Sequence, residues 1–588
     1  MKVIYSIIFV SLFWVACTDS KDVENNANKE LQDSVQKYLD TYNNTYQKLY
    51  YEASKAEWVL NTHIVEGDTT AEYNVKIASK AMADYTGSEE NINTSEGFLK
   101  VKDKLTPLQV KQLEAIKYGA AGNPATLGKL IDEKIAAEAS QTKKLYGYKY
   151  KLKGKEISTN DIDKILAGNA KLPQKLDAWN ASKEIGKTLK TGIDTLRGLR
   201  NKSVMPLGYK NYIDYQISDY GMSDQEMRDL LHKIMNDIWP LYRELHTWTR
   251  YELAKKYGEK VPDYLPAHWL PNRWGQEWES IVNVKGFDLD SILGTKSAEW
   301  IVKEGEQFYM SLGLPPLPQS FWEKSSLYPA PVGADYMKNN HASAWHMDLD
   351  KDVRSLMSVE PDTKWWGTAL HELGHIYYYM LYSNPDVPYL LRNGANRAFH
   401  EGIGSMLGLA AMQKPFLQDR GLLPKDVQLD EIQLMLKEAL EQVVLIPWGA
   451  GVMTEFEYSL YAENLPIDQF NSKWWELKKK YQGIVPPTER GEEYCDACTK
   501  THINNDPAQY YDYALSIVTL FQIHDHIAKQ ILKQDPHNTN YWGSKETGDF
   551  LRKILSPGAT IDWRKLMKDE LGEEISAKAM LEYFAPLY

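Results

Sequence analysis

The stretch that most constrains this chain is His371-Glu372-Leu373-Gly374-His375, which lies in an apolar segment that predicts a helix. Four positions along an α-helix turn the chain by about 400°, so His371 and His375 lie on one face. Two imidazoles placed in this way can bind one divalent ion, and zinc favours such nitrogen ligands. Glu372 lies beside the metal, where it can act as a general base. The alternative, a surface helix that carries two histidines, conflicts with the apolar flanks, because unpaired polar side chains are costly in a core.

A hydrolytic zinc site also needs a third protein ligand and an open position for water. The candidate ligand is Glu401, which begins a second predicted helix that runs to Met412, and His400 competes with it. The longer His-Glu-x-x-His-x-x-Gly-x-x-His pattern is absent, because Tyr378 and Leu381 occupy its glycine and final histidine positions. The sequence therefore favours the class with two histidines and one glutamate, in which the glutamate comes from a separate helix.

The composition predicts an acidic, mainly helical protein. The chain has 588 residues, of which 43% are hydrophobic, and it contains 18 Trp and 38 Tyr. A chain of this length can bury a large core arranged as two lobes, and the aromatic content suits a helical protein that surrounds a broad cavity. The formal net charge of −12, with no basic cluster, argues against a nucleic-acid partner.

Residues 1–16 have the pattern of an export signal. Lys2 precedes an apolar run that is too short for a comfortable membrane span, and the run ends at Ala16-Cys17. A cysteine at this point, followed by a polar tether over residues 17–30, is typical of bacterial lipoproteins. We therefore expect an exported protein, periplasmic or attached to the outer membrane through a lipid on Cys17. Ordinary cleavage nearby is the alternative.

Residues 31–588 are predicted to form a single catalytic domain that is mainly α-helical, because apolar residues recur at helical spacing. Long helices are predicted from Leu31 to Leu60, from Ser223 to Tyr257, from Leu429 to Val444 and from Tyr510 to Gln530. Other segments are predicted to be a hairpin or loop (Gly147 to Lys155), a loop (Tyr264 to Trp274) and short strands with turns (Tyr328 to Leu349).

The two remaining cysteines, Cys495 and Cys498, form a Cys-x-x-Cys pattern in a predicted loop. Two thiols cannot complete a four-cysteine zinc site, and no βαβ pattern surrounds them to support a thioredoxin-like role. In an exported protein we expect a local disulfide, with no function implied.

Several further motifs lie along the chain. The most specific are His341-Ala342-Ser343-Ala344-Trp345, Arg392, Gly394-Ala395-Asn396 and Phe399-His400-Glu401. Others cover nearly the whole mature chain: Tyr51-Glu52-Ala53, Ala56-Glu57-Trp58, Asn61-Thr62, Pro240-Leu241-Tyr242, Leu245-His246, Ala579-Met580-Leu581 and Tyr583-Phe584. Together these motifs resemble those of one family, the peptidyl-dipeptidase A (angiotensin-converting enzyme) family of zinc metallopeptidases, in a bacterial form.

The resemblance implies a mainly α, zincin-like, ellipsoidal fold of two lobes. A deep central channel would divide the lobes, and N-terminal helices would act as a lid. The short strands predicted from Tyr328 to Leu349 would form a small β element near the zinc site. It also implies an enzyme that removes dipeptides from the C-termini of oligopeptides and depends on one zinc ion. We expect a monomer whose partners are its peptide substrates.

The resemblance also implies a role for each matching residue. His371, His375 and Glu401 would bind zinc, and Glu372 would be general base and then acid. Other matching residues would stabilise the oxyanion (Tyr513 and His502), hold the substrate (His341 and the Ala344 backbone) and bind its C-terminal carboxylate (Gln276, Lys500 and Tyr510). Taken singly, these latter residues are equally compatible with ordinary roles as core or surface side chains.

This chain departs from the family pattern at three positions. Ser405 replaces an aspartate that orients a zinc-binding histidine, so zinc affinity would fall or another group would substitute. Asp512 replaces the chloride-binding arginine that precedes the oxyanion tyrosine, so we expect weak or absent chloride activation. Asn340 stands where vertebrate relatives have a disulfide cysteine. The interval from His375 to Glu401 is also two residues longer than usual.

Two alternatives to a peptidyl-dipeptidase stay open. One is a zinc peptidase with another cleavage pattern, such as a carboxypeptidase or an oligoendopeptidase. The other is a catalytically silent lipoprotein that binds peptides, although a binding protein has no need of Glu372 as a base.

Overall fold

The computed structural model describes residues 20–65, 67–285, 288–339 and 341–588. The predicted export signal, Cys17 and Asn340 therefore lie outside the described residues. Within the described part of the chain, no helix combines the length and the apolar character needed to cross a membrane.

The protein is mainly α-helical, as the sequence predicts, and 24 α-helices lie within the described ranges. The first twelve are α1 (Ser20–Thr62), α2 (Thr70–Thr86), α3 (Glu89–Leu99), α4 (Pro107–Gly122), α5 (Gly128–Tyr146), α6 (Thr159–Ala167), α7 (Leu172–Lys183), α8 (Ile185–Val204), α9 (Tyr212–Ser218), α10 (Asp224–Tyr257), α11 (Asp290–Leu293) and α12 (Ala298–Ser311). The others are α13 (Gln319–Lys324), α14 (Thr363–Tyr382), α15 (Arg397–Ala411), α16 (Lys414–Asp419), α17 (Glu431–Ile446), α18 (Thr454–Tyr461), α19 (Phe470–Leu477), α20 (Thr501–Asn505), α21 (Tyr511–His526), α22 (Lys545–Leu555), α23 (Trp563–Leu571) and α24 (Lys578–Tyr583).

Six short strands form three two-stranded sheets within the described residues. They are β1 (Tyr150–Leu152), β2 (Lys155–Ile157), β3 (Leu265–Pro266), β4 (Ser343–His346), β5 (Val353–Leu356) and β6 (Ile484–Val485). β1 pairs with β2 and β4 with β5, both antiparallel, whereas β3 pairs with β6 in parallel. The β4–β5 ribbon lies against α14, so the expected β element is next to the predicted zinc helix.

The β1–β2 hairpin resolves the hairpin-or-loop alternative for Gly147 to Lys155. Its two turn residues, Lys153 and Gly154, have φ values of 51° and 80°. Positive φ at both central positions is the geometry of a type I′ turn, which matches the twist of the flanking strands. Glycine adopts such φ values without strain, so Gly154 is suited to its position.

One large hydrophobic core, built from buried residues between Leu145 and Phe584, joins the helices from α5 to α24. Helix α14 lies inside it, with Trp366, Leu370, Leu373 and Ile376 fully buried. The neighbours of α14 include α12, α15, β4 and β5. The predicted zinc helix is therefore a central element of the fold.

The N-terminal helices pack around smaller clusters of their own. Val35, Leu39 and Tyr42 of α1 meet Leu113 and Ile116 of α4 in a core that is separate from the large one. A second small cluster brings Trp58 of α1 against Met347 and Leu356, beside the β4–β5 ribbon. The helices α1 to α4 therefore have small cores of their own, and a further one, with Ile92 and Ala120, also includes Val204 of α8.

Several boundaries differ from the prediction, among them the following three. The tether predicted over residues 17–30 is helical from Ser20, where it forms the start of α1. The loop predicted from Tyr264 to Trp274 contains β3 and a 3₁₀ turn over Ala267–Trp269. Pro266 does not prevent the strand, because β3 has only two residues and lies at a sheet edge, where proline is tolerated. The helix predicted from Glu401 begins earlier, at Arg397.

Candidate active site

The sequence around α14 and α15 fixes the ends of both helices. Asp362 caps α14, since its side chain accepts a hydrogen bond from the Trp365 N–H. Asn396 caps α15 in the same way and accepts from Phe399 N–H. This cap explains why α15 begins before Glu401, and it places that glutamate in the second turn of the helix.

Gly404 lets α15 approach α14 closely enough to bring Glu401 to the two histidines. A β-carbon at this position would lie 3.0 Å from Cε1 of His375 and 3.1 Å from Cε1 of His371. Gly374 faces it from α14, where an added β-carbon would lie 3.2 Å from the Gly404 Cα. All three distances are shorter than ordinary van der Waals contacts. Gly404 is absent from the residues predicted for the site, although the Gly402-x-Gly404 spacing next to a ligand candidate is a signal for close helix packing.

His371, His375 and Glu401 form the one group of potential metal ligands found among the described residues, with donor atoms within 4.8 Å of one another. The two Nε2 atoms lie 3.0 Å apart, and Oε2 of Glu401 lies 3.7 Å from the first and 3.8 Å from the second. Tetrahedral zinc with nitrogen ligands at 2.0–2.1 Å needs separations of roughly 3.4 Å. The three donors therefore fit a zinc ion.

Electrostatics also suit a metal. Burial lowers the pKa of both His371 and His375 to about 4, so the imidazoles are neutral and free to bind through nitrogen. Burial, reinforced by the Glu401 carboxylate, raises the pKa of Glu372 to about 8. A divalent cation beside Glu372 would favour its carboxylate form, because opposite charge stabilises the ionised group.

His400, which competed with Glu401 as a ligand, lies behind His375. The Nδ1 atoms of the two rings are 2.7 Å apart. Burial, with His375 next to it, lowers the pKa of His400 well below its usual value, so the ring is neutral. If His375 binds metal through Nε2, its Nδ1 carries the proton and donates to Nδ1 of His400. His400 is thus placed to orient a ligand.

The two predicted oxyanion donors lie together. Nε2 of His502, on α20, is 3.2 Å from the hydroxyl of Tyr513, on α21. Burial lowers the pKa of His502 to about 4 and raises the pKa of Tyr513, so both groups are neutral at pH 7. Neutral N–H and O–H groups of this kind can donate to a developing negative charge.

The three predicted carboxylate-binding residues also converge. Nζ of Lys500 donates to Oε1 of Gln276 at 2.5 Å, and the Tyr510 hydroxyl approaches the same oxygen at 3.5 Å. The Lys500 ammonium lies 4.3 Å from the centre of the Trp274 ring. Burial lowers the pKa of Lys500 to about 7, with Glu277 opposing the shift. The Gln276 oxygen occupies a position that suits a carboxylate oxygen.

Ala344 lies in β4, beside α14, and His341 lies two residues before that strand begins. His341 is exposed, and its Nδ1 is 2.8 Å from the Ala342 carbonyl oxygen. The Ala344 carbonyl, in β4, accepts a hydrogen bond from Tyr379 of α14 at 3.2 Å. The structure therefore ties Ala344 to the zinc helix and leaves the His341 ring near solvent.

Comparison with known proteins decides the family. A sequence model described as angiotensin-converting enzyme, peptidase family M2, matches residues 29–588. The chain belongs to the angiotensin-converting enzyme family. Angiotensin-converting enzyme of Theromyzon tessulatum is 30% identical over 583 residues, which cover 95% of this chain and 91% of that protein. The Mus musculus enzyme is 28% identical over 575 residues, or 94% of this chain.

This chain spans 43% of the length of the Mus musculus and Bos taurus relatives, which it matches with 28% identity. The protein is a hydrolase of the zinc metallopeptidase class, with the peptidyl-dipeptidase activity of its family. The mainly α fold and the group formed by His371, His375 and Glu401 agree with that membership.

Three positions differ from the pattern that the resemblance implies. Ser405 lies one turn after Glu401 on α15, and the side chain that contacts the ligand candidate His375 is His400. Asp512 is buried on α21, next to Tyr513, and burial raises the pKa of its carboxyl to about 7. Asn340 is outside the described residues. The Cys495–Cys498 disulfide is formed, as expected.

Proposed function

We propose that His371, His375 and Glu401 bind one zinc ion and that Glu372 is the general base of peptide hydrolysis. A zinc ion held there supplies Lewis acidity, which polarises the scissile carbonyl and lowers the pKa of water toward 7. Glu372 accepts a proton from the attacking water and later donates it to the leaving amine. His400 would fix the proton of His375 on Nδ1, which would leave Nε2 free to bind the ion.

Tyr513 and His502 stabilise the negative charge that grows on the carbonyl oxygen. Both groups are neutral donors held 3.2 Å apart, so they can converge on one oxygen. Removing one donor of this kind costs roughly 10²–10³ in kcat, because the interaction is formed mainly in the transition state. Replacing Tyr513 by Phe is therefore expected to lower kcat more than it changes KM.

Lys500, Gln276 and Tyr510 bind the free C-terminal carboxylate of the substrate. A cation and neutral donors fixed at one distance from the base select the bond that lies two residues from the C-terminus. We further propose that His341 and the backbone of Ala344 hold the peptide beside the zinc helix, in the manner of an added strand. We expect no requirement for chloride, because Asp512 places a carboxyl next to Tyr513, at the position where the resemblance implies a chloride-binding arginine.

The proposal rests on the presence of two separate groups of residues on one chain, the metal-ligand candidates and the carboxylate-binding candidates. The metal donors lie within 4.8 Å of one another, and the carboxylate-binding residues meet around Gln276. The first supports hydrolysis, and the second supports recognition of a C-terminus. A peptide-binding protein would need only the second.

The test is the product pattern from blocked peptides with a free C-terminus. A blocked tripeptide and a blocked tetrapeptide are expected to lose a dipeptide each, and a chelator is expected to abolish both reactions. Release of single residues would instead indicate a carboxypeptidase, and internal cleavage of longer peptides an oligoendopeptidase.

Replacing Glu372 by Gln keeps the shape of the side chain but removes the base. Turnover should be abolished, while zinc measured by mass spectrometry and peptide affinity measured by calorimetry should persist. Retained turnover would refute the mechanism. No turnover in the unsubstituted protein, combined with peptide binding, would identify a silent binding protein.

We also propose the cellular setting. Residues 1–16 would direct export, lipid on Cys17 would hold the protein in the periplasm or on the outer membrane, and α1 to α4 would form a lid over the single domain formed by residues 31–588. The separate small core of α1 and α4 supports the lid. Mass spectrometry of the mature N-terminus and gel filtration, with a monomer expected, test these points.

A further inference from the structure

Asp512 is a buried carboxylate whose two oxygens contact different elements. Oδ1 accepts a hydrogen bond from the hydroxyl of Tyr220, in the turn before α10. Oδ2 lies 3.3 Å from Nε of Arg397, the first residue of α15. The Tyr220 hydroxyl also accepts from the Ala398 N–H at 3.0 Å. Asp512 therefore joins the start of α21 to the start of α15.

Arg397 contacts a second acid at the end of α20. Its Nη2 donates to Oδ2 of Asp506 at 2.8 Å, and its Nη1 donates to Oδ1 of the same residue at 3.1 Å. Asp506 follows α20 directly, and its N–H donates to the carbonyl of His502. One guanidinium thus contacts the segment that carries His502 and the residue that precedes Tyr513.

We propose that Arg397, Asp506 and Asp512 are positioning residues that hold Tyr513 and His502 in register with Glu401. This inference rests on the proposed roles of Tyr513 and His502. Arg397 lies one helical turn before Glu401 on the same helix, so the network links the metal ligand and both oxyanion donors. None of the three charged groups needs to touch the substrate.

The physical basis is the fork geometry of arginine. A planar guanidinium with several fixed donors restrains two carboxylates at once, which a lysine cannot do. The two hydrogen bonds from Arg397 to Asp506 are charge-assisted, so they are stronger than neutral ones and restrict orientation, and the ion pair with Asp512 at 3.3 Å adds a second contact. A displacement of about 1 Å in a group that acts on the reaction can cost roughly 10²-fold in rate. Loss of a buried restraint next to Tyr513 should therefore lower kcat more than it weakens substrate binding.

The test compares Asp512→Asn in two backgrounds. Asparagine keeps the size of the side chain and an oxygen acceptor for Tyr220, but it cannot ionise, so the ion pair with Arg397 cannot form. In the unsubstituted background we expect kcat to fall by about tenfold or more, with KM changed by less than about threefold. In the Tyr513→Phe background the same substitution should change kcat by less than about twofold, because the hydroxyl it positions is already absent.

Three further variants separate positioning from general damage. Arg397→Gln should match or exceed the loss in Asp512→Asn, and Arg397→Lys should restore little activity, because lysine lacks the fork. Glu455→Gln is the matched control: it breaks a partly buried ion pair with Arg228, whose atoms are 2.9 Å apart, and it should leave kcat unchanged. Zinc content and thermal unfolding are measured for every variant.

Two results would overturn the inference and leave the proposed function intact. One is full activity in Asp512→Asn. The other is a loss of the same size in the unsubstituted background and in the Tyr513→Phe background, which would mean that Asp512 does not act through the hydroxyl. If Tyr513→Phe alone is fully active, the proposed role of Tyr513 is wrong and the inference falls with it, so the two failures are distinguishable.

Discussion

The substitution Lys500→Met should convert a C-terminus-dependent peptidase into one that barely distinguishes a free carboxylate from an amide. The Lys500 side chain is 3% exposed, and methionine fills nearly the same space without the charge. Truncating one partner of a buried, hydrogen-bonded charge pair costs about 2–5 kcal/mol. At about 1.4 kcal/mol per tenfold, kcat/KM for a free-acid peptide should fall by about 30-fold to several thousand-fold.

The same residue should set a pH dependence. Because burial lowers the pKa of Lys500 to about 7, the ammonium that binds the carboxylate is present below pH 7 and is lost as the pH rises through that value. For free-acid peptides, kcat/KM should therefore decline above pH 7, by up to tenfold per pH unit. Glu277 opposes the shift and Arg273 reinforces it, so removing either charge should move the midpoint.

The assay is kcat/KM for matched peptides that end in a carboxylate or a carboxamide, measured across pH in both proteins. Peptides with a carboxamide should show neither the loss in Lys500→Met nor the decline above pH 7. Lys175→Met is the matched control, because Lys175 is also buried and its pKa is lowered to about 8, yet it lies outside the proposed site. An unchanged acid-to-amide ratio in Lys500→Met would refute the assignment.

Three other substitutions or conditions give direct checks. Replacing His400 by Ala should weaken zinc binding by about 10–100-fold in a competition titration with a chelator, because His375 loses its orienting partner; unchanged affinity would contradict this. Gly404→Ala should lower zinc content, since the new β-carbon meets both ligand rings, whereas Gly408→Ala, with its nearest neighbour at 3.8 Å, should not. Exchanging chloride for acetate should change dipeptide release by less than about twofold; strong stimulation by chloride would refute the interpretation of Asp512.

The metal ligands could be predicted because their signal is local. His371 and His375 share a face through helical periodicity alone, and this requires no knowledge of the rest of the fold. The prediction of Glu401 as third ligand depends on a second helix, and the predicted start of that helix lies four residues after its actual start at Arg397. The signal that was missed is Asn396, a residue type that favours the position just before a helix.

The long-range parts of the site could be predicted only through the family resemblance. Gln276 is distant in sequence from Lys500 and Tyr510, and nothing in the composition or periodicity indicates that the three meet. The parallel pair of β3 with β6 was missed for the same reason: each strand has only two residues, so neither produces a period that can be recognised.

The environment of Asp512 could be predicted from the sequence only in part, because its partner depends on how the helices pack. The resemblance indicated that a cation had been replaced by an acid at this position, and the expected result was the loss of an anion site. A buried carboxylate also needs a partner, because desolvation without compensation costs several kcal/mol. The sequence therefore implied a compensating group, but 68 lysines and arginines were available to provide it. Only the packing of α15 against α21 identifies Arg397, and with it a restraint that links the metal ligand to the oxyanion donors.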